Sequence, residues 1–402
     1  MINKNFFLNV VVPFSVFILA TITQFFFDTF GAQFISDAEF SEFVSTRAFI
    51  LIFTPFLILG IDQAIIRFGG IPSNLKSFLI FYVLLAALLP TILDYLGVNF
   101  GVTLYAIYSL LLYGISMVIG SKYRIEGRNI LAQVSINLWR FISHTLVLIL
   151  SNYSLFYLDM APAMVIFYSM IATVVIVILF SNPSQLFSGN IETKEFTKYS
   201  FVFMLFIFLL GFSQYYDQLF VPKIFNGDRL KQYIGMIAFF VSPITVISTF
   251  IGFLLAPKFS KISIDNVKLE YKKYLKFLSV VYPVLYTSIF LLYEFIFHEH
   301  LNYKYDLSFP VYSLLFFIGY LRLIYVLNSS VMGMKGGMKN LGVFFLFCLS
   351  GIAIQLVIFQ FIVDNYSVNG AFEVVTMLIL LAIVLNWIVR NIGATYLVLY
   401  RI

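Results

Sequence analysis

The sequence predicts an all-α integral membrane protein with twelve transmembrane helices, and three observations lead there. Only 11% of the 402 residues are charged and 61% are hydrophobic, against about a quarter and about half in soluble domains. The apolar residues gather in runs of about 18 to 25, the length that crosses a hydrocarbon layer at about 1.5 Å per residue. The remaining charges are sorted by loop, as membrane topology requires. Lipid offers backbone polar groups no partner, so each run must be helical.

The expected spans are 6–27, 43–63, 78–96, 100–120, 130–150, 162–180, 200–221, 233–256, 275–297, 309–329, 341–363 and 371–389. The connections are short and leave no room for a soluble domain or an external catalytic site. The first run lacks a small-residue cleavage site and reads as a retained helix rather than a signal peptide. Arg67, Lys122, Arg124, Arg128, Lys258 and Lys268 all fall in alternate loops, and Lys4, Arg390 and Arg401 in the tails. The opposite loops carry few bases, among them Lys223 and Arg229, and hold Asp28, Asp37, Glu39, Glu42, Asp159 and Asp306. That bias puts both termini in the cytoplasm. The net charge of +6 then reads as topology and contact with anionic membrane lipids, not as nucleic-acid binding.

A weak internal repeat divides the chain. Asp37 precedes Arg67-Phe68 by the same interval as Asp228 precedes Lys258-Phe259, and each interval holds one span with a proline, Pro55 or Pro243. Two six-helix lobes in the same orientation give this pattern. The expected division is an N-terminal lobe over 1–180, a cytoplasmic linker over 181–199 and a C-terminal lobe over 200–402. Prolines inside spans remove a backbone hydrogen bond and predict kinks.

No cofactor, metal centre or catalytic group is expected. Cys348 is the one cysteine and sits in an apolar run, where it reads as a small hydrophobe. His298, Glu299 and His300 lie together in an outer loop, but three such residues without a fourth ligand are a weak metal signal.

The informative residues are the polar ones within spans, because a charge at membrane depth costs about 3 kcal/mol unless it faces a bundle interior or water. Gln133, Asn137, Arg140 and His144 follow offsets of four, three and four, which makes one stripe along the fifth span. It lines either a wet cavity or an interhelical hydrogen-bond seam. Arg322, Tyr325 and Ser329 share a face of the tenth span, where snorkelling is the rival account. Arg47 opens the second span, as an interfacial anchor or a ligand contact. Gln214, Asp217 and Gln218 share a face of the seventh. Asp217 there is either a proton- or sodium-linked carboxylate or half of a salt bridge with Arg47 or Lys223.

Five stretches carry a family resemblance: residues 30–43 (FGAQFISDAEFSEF), 59–68 (LGIDQAIIRF), 217–220 (DQLF) before 233–235 (YIG), 257–261 (PKFSK) and 369–372 (NGAF). Their order, with the twelve-span layout, resembles the O-antigen and exopolysaccharide flippases (Wzx-type), in the polysaccharide transporter branch of the multidrug/oligosaccharidyl-lipid/polysaccharide exporter superfamily. The resemblance implies a multi-pass protein of the bacterial inner membrane, with two six-helix lobes around a V-shaped cavity that open alternately to the two sides. It implies an undecaprenyl-diphosphate-linked oligosaccharide as substrate and polysaccharide polymerase machinery as a candidate partner. It also implies that spans 1, 2, 7 and 8 line the cavity, which favours Arg47 and Asp217 over Arg140 and Arg322. The stripe on the fifth span favours Arg140, so the two arguments point to different arginines.

On this reading Arg47, Arg140 and Arg322 are the candidate diphosphate contacts, because a guanidinium donates two parallel hydrogen bonds. Gln24, Asn137 and Gln214 are candidate sugar contacts, and Asp217 is the candidate coupling group. A multidrug or cation exporter on the same fold is the alternative and predicts an acidic cavity. An O-antigen polymerase, an enzyme, would need a large outer loop with catalytic Arg or His; loops 28–42 and 151–161 contain neither.

Overall fold

The computed structural model describes residues 12–31, 34–73, 75–95, 104–152, 161–180, 191, 193–295, 307–366 and 371–401. Among these the chain is helical, apart from turns and a single bridge between Pro72 and Ile191. The helices are α1 (Val12–Thr29), α2 (Asp37–Leu57), α3 (Ile61–Phe68), α4 (Leu75–Tyr95), α5 (Leu104–Ile125), α6 (Asn129–Asn152), α7 (Pro162–Leu179) and α8 (Thr193–Phe220). After a 3-10 turn at Val221–Lys223 follow α9 (Asp228–Phe240), α10 (Ser242–Lys261), α11 (Ile264–Leu292), α12 (Phe309–Lys335), α13 (Met338–Asn365) and α14 (Phe372–Tyr400). Each of the twelve expected spans has helix beneath it. Ten described segments are long and apolar enough to cross a membrane, and the first span is present as the shorter apolar Phe14–Thr29. The protein is a polytopic helical membrane protein.

Two of the spans are broken. Pro55 has no N–H to give the ladder, and α2 ends at Leu57. Leu59 (φ 55°) and Gly60 (φ 66°) then turn through the left-handed region before α3 begins. Only glycine takes that conformation without cost. The turn is also pressed against α8: a Cβ on Gly60 would lie 2.4 Å from the Ser200 carbonyl oxygen, and the Ser200 hydroxyl donates to the Leu59 carbonyl at 2.5 Å. The eighth span breaks at Val241, and Pro243 sits in the first turn of α10, where its missing N–H is not needed. Both repeat-related prolines therefore mark an interruption, one just before the break and one just after it.

The chain packs as two compact units, residues Met1–Lys223 and Ile224–Ile402. In the first unit α1 lies along α6, α2 packs on α8 and α5, and α6 packs on α5 and α7. Its core includes Ile61, Ile65, Val118 and Phe196 where α3, α5 and α8 meet. In the second unit α14 packs between α13 and α12, and α12 also packs on α10 and α11. The seventh span, which the sequence assigns to the C-terminal lobe, packs in the first unit. Gly211 brings α8 close to α2, where an added Cβ would lie 3.1 Å from the Leu51 carbonyl oxygen. Of the expected linker, residues 193–199 belong to α8 and most of the rest lies outside the described residues.

Candidate functional site

The first unit encloses a charged cluster assembled from four spans. Arg47 on α2 is 0% exposed and Asp28, at the end of α1, is 3% exposed. Their side chains pair at 2.8 Å, Arg47 Nη1 to Asp28 Oδ1. The same Nη1 lies 3.1 Å from His144 Nε2 on α6, and Arg47 Nη2 donates to Gln218 Oε1 on α8 at 3.3 Å. Gln24, one turn before Asp28, donates to its second carboxylate oxygen at 3.4 Å. The Phe27 and Phe43 rings close over His144 edge-on, at 5.3 and 5.2 Å.

This geometry sets the tautomer of His144. A guanidinium can only donate, so Nε2 must accept from Arg47. Nδ1 then carries the proton and donates to the Arg140 carbonyl oxygen at 2.5 Å. The imidazole is neutral in this arrangement; a second proton would set two cations in contact. The arginine is held by a carboxylate, an imidazole and an amide, each from a different span.

The stripe on the fifth span is real, but its members do different things. His144 joins the cluster. Asn137 is buried and donates to Gln133 Oε1 on its own helix at 2.7 Å. Arg140 is half-buried, lies 5.6 Å from the Trp139 ring and is near the Tyr113 hydroxyl. Its Nε is buried with no hydrogen-bond partner among the described residues. On α8, Gln214 is half-buried while Asp217 and Gln218 are buried. Thus Arg47, Gln24, His144 and Gln218 come together, and Arg140 follows through its own backbone.

Arg322 belongs to the second unit, where its Nη1 donates to Thr245 Oγ1 at 3.2 Å and its guanidinium lies 5.6 Å from the Trp387 ring. Arg390 is a larger departure from the sequence reading, which left it in the tail: α14 continues to Tyr400, and Arg390 is fully buried within it. A seam of amides runs nearby. The Tyr271 hydroxyl donates to Asn328 at 2.6 Å, Asn328 to Asn391 at 2.8 Å, and Asn391 to the Leu321 carbonyl at 2.9 Å. No metal-binding group of acidic, His or Cys side chains occurs among the described residues; His298, Glu299 and His300 lie outside them. Cys348 is buried.

No protein-family model matches the sequence, and no curated protein does. A solved structure matches over 98% of this chain and 97% of its own, with a TM-score of 0.56 and 15% identity. It is the outward-facing conformation of a multidrug resistance MATE family transporter of the MOP superfamily. The chain shares that fold. The MATE-type fold agrees with the polytopic, all-helical architecture expected above. At 15% identity it carries architecture to this chain, not residue roles.

Sequence reasoning missed Asp28 and Arg390 for the same reason. Each stands just past the end of an apolar run, Asp28 in the last turn of α1 and Arg390 well inside α14. The signal for Arg390 was present: Asn386, Arg390 and Asn391 repeat at helical spacing, and apolar Leu397 and Val398 follow.

Proposed function

We propose that this chain is an alternating-access membrane transporter for an undecaprenyl-diphosphate-linked oligosaccharide, which it moves from the cytoplasmic to the outer leaflet. The observation that carries the reading is Arg140. It is a half-buried cation in the middle of a polar stripe, with a buried Nε that no described protein group accepts from. A diphosphate oxygen would accept from it and neutralise it. Arg47 is already held by Asp28, His144 and Gln218, so its role is to hold the helices around the stripe. Arg322, held by Thr245 and beside the Trp387 ring in the second unit, is not given a diphosphate contact in this proposal. Gln24, Gln214 and Asn137 are the proposed sugar contacts.

The test is direct. The purified chain is reconstituted in liposomes with a fluorescent undecaprenyl-diphosphate-linked saccharide in the inner leaflet, and outer-leaflet exposure is followed with a membrane-impermeant quencher. Accelerated exposure is expected. Unchanged exposure together with extrusion of ethidium would instead establish the cation exporter, the reading favoured by the buried acids Asp28 and Asp217 and by the fold shared with a multidrug resistance transporter.

We place gradient coupling at Asp217. It is 3% exposed and adjoins Gln218, which touches Arg47, so a change of charge there would reach the cluster. In the same liposomes Asp217→Asn should flip at one rate with or without an imposed proton or sodium gradient, whereas the parent chain should speed up several-fold. A variant that keeps the full gradient response would leave Asp217 a structural residue.

A further inference from the structure

We infer that the second unit carries a binding site for one neutral sugar ring, in a cavity lined by Gln232, Leu307, Ser308, Ala371, Phe372 and Glu373. The inference does not depend on what the protein transports. The cavity measures about 350 Å³, at the small end of ligand pockets, which run from about 300 to 1,000 Å³. Its walls come from the starts of three helices, α9, α12 and α14. These open the eighth, tenth and twelfth spans, whose starts the loop charges assign to the outer side.

The fold leaves the polar groups of this lining unused. Ser308 is the N-cap of α12, a position from which a serine hydroxyl ordinarily accepts from the first turn of its helix. Here it makes no such bond, and its Oγ is buried with no hydrogen-bond partner among the described residues. Rotation about its one side-chain bond can turn that hydroxyl to a ligand without moving the backbone. Ala371 is the N-cap of α14 and offers no side-chain acceptor, so nothing from that position covers the first N–H groups of the helix. The side chains of Gln232 and Glu373 make no hydrogen bond or ion pair among the described residues. Phe372 is held against the Phe225 ring, with centroids 4.9 Å apart.

This mixture selects the class of ligand. The Glu373 carboxylate only accepts, the helix N–H groups only donate, and Gln232 and Ser308 do both. An anion would meet the Glu373 carboxylate, and a cation would meet the positive ends of α12 and α14. No metal-binding group of acidic, His or Cys side chains occurs among the described residues. A sugar ring is neutral, and each of its hydroxyls donates and accepts, so one molecule can serve all of these groups at once. Its C–H groups suit Phe372 and Leu307, because the face of an aromatic ring is electron-rich. The volume admits one ring and leaves no room for a lipid tail.

The test is saturation-transfer NMR on the full-length protein in an amine-oxide detergent, which has no sugar headgroup to compete. Methyl glycosides of glucose, galactose and N-acetylglucosamine are the ligands. Saturable transfer to at least one of them is expected. Glu373→Ala should raise its half-saturating concentration by about tenfold, the loss of one hydrogen bond to a charged group. Gln232→Leu should raise it as well, and Ala371→Phe should abolish transfer by filling the cavity. Glu373 and Ala371 are exposed, so both of these variants should melt with the parent, and they decide the matter if Gln232→Leu does not fold. No saturable transfer to any of the three sugars, or the same half-saturation in parent and variants, overturns the site. Displacement by phosphate, methylammonium or glycine as effective as that by a second sugar overturns its assignment to a neutral ring. None of these measurements involves flipping, so the site and the transport proposal fail separately.

Discussion

Arg47→Met should be among the most destabilising single substitutions in the first unit, by about 3–5 kcal/mol, because it strands a buried carboxylate. Arg47 and Asp28 are both almost wholly enclosed, and the spans around them offer Asp28 little in place of the guanidinium. His144 and Gln218 would also lose their donor. Asp28→Asn should cost less, since an amide oxygen still accepts from Arg47 Nη1 at the same position. Arg47→Met with Asp28→Leu should recover much of the loss, because two matched apolar groups remove both desolvation penalties. The measurement is the melting temperature of each variant in detergent, in the order parent, double, Asp28→Asn, Arg47→Met. A double variant less stable than Arg47→Met by the full cost of Asp28→Leu alone would show that the two side chains contribute independently. The four-helix convergence on Arg47 would then come from the packing of Phe27 and Phe43 around His144.

What the sequence reveals about this protein follows from which properties are local. A span is local: an apolar run long enough to cross lipid has one conformation available to it, and every expected span contains helix. The prolines at 55 and 243 are local too, and both lie beside breaks. The location of the break is not, since Leu59 and Gly60 adopt left-handed torsions where α8 presses on the turn through Ser200 and Met204. The polar stripe of the fifth span gave the periodicity of a face but not its partner. Arg47 meets His144 from 97 residues away and Gln218 from 171, separations that no spacing rule bridges. Span ends were the weakest point. Hydropathy falls at Asn386, Arg390 and Asn391 because side chains there are polar, yet they find hydrogen bonds inside the unit, Arg390 to Asn386 and Asn391 to Asn328 and the Leu321 carbonyl, so the helix has no reason to stop.

Arg140 provides the decisive activity series. Arg140→Gln should lower the flipping rate by about thirtyfold or more, the equivalent of about 2–5 kcal/mol for truncating a buried charged contact. Arg140→Lys should fall between, because it keeps the charge and loses the planar two-pronged donor. The melting temperature should change little in either case. The Nε of Arg140 has no described acceptor to lose, and the His144 contact is made by the Arg140 backbone carbonyl, which any residue supplies. A structural role predicts the opposite pattern. If the guanidinium serves mainly to pack on Trp139 and Tyr113, both variants should melt earlier while each folded molecule still flips at the parental rate. Flipping per folded molecule, in liposomes with a matched amount of inserted protein, therefore separates the two accounts. A parental rate in Arg140→Gln would remove the observation on which the anionic substrate rests, and ethidium extrusion by the same preparation would then favour a cation exporter on this fold.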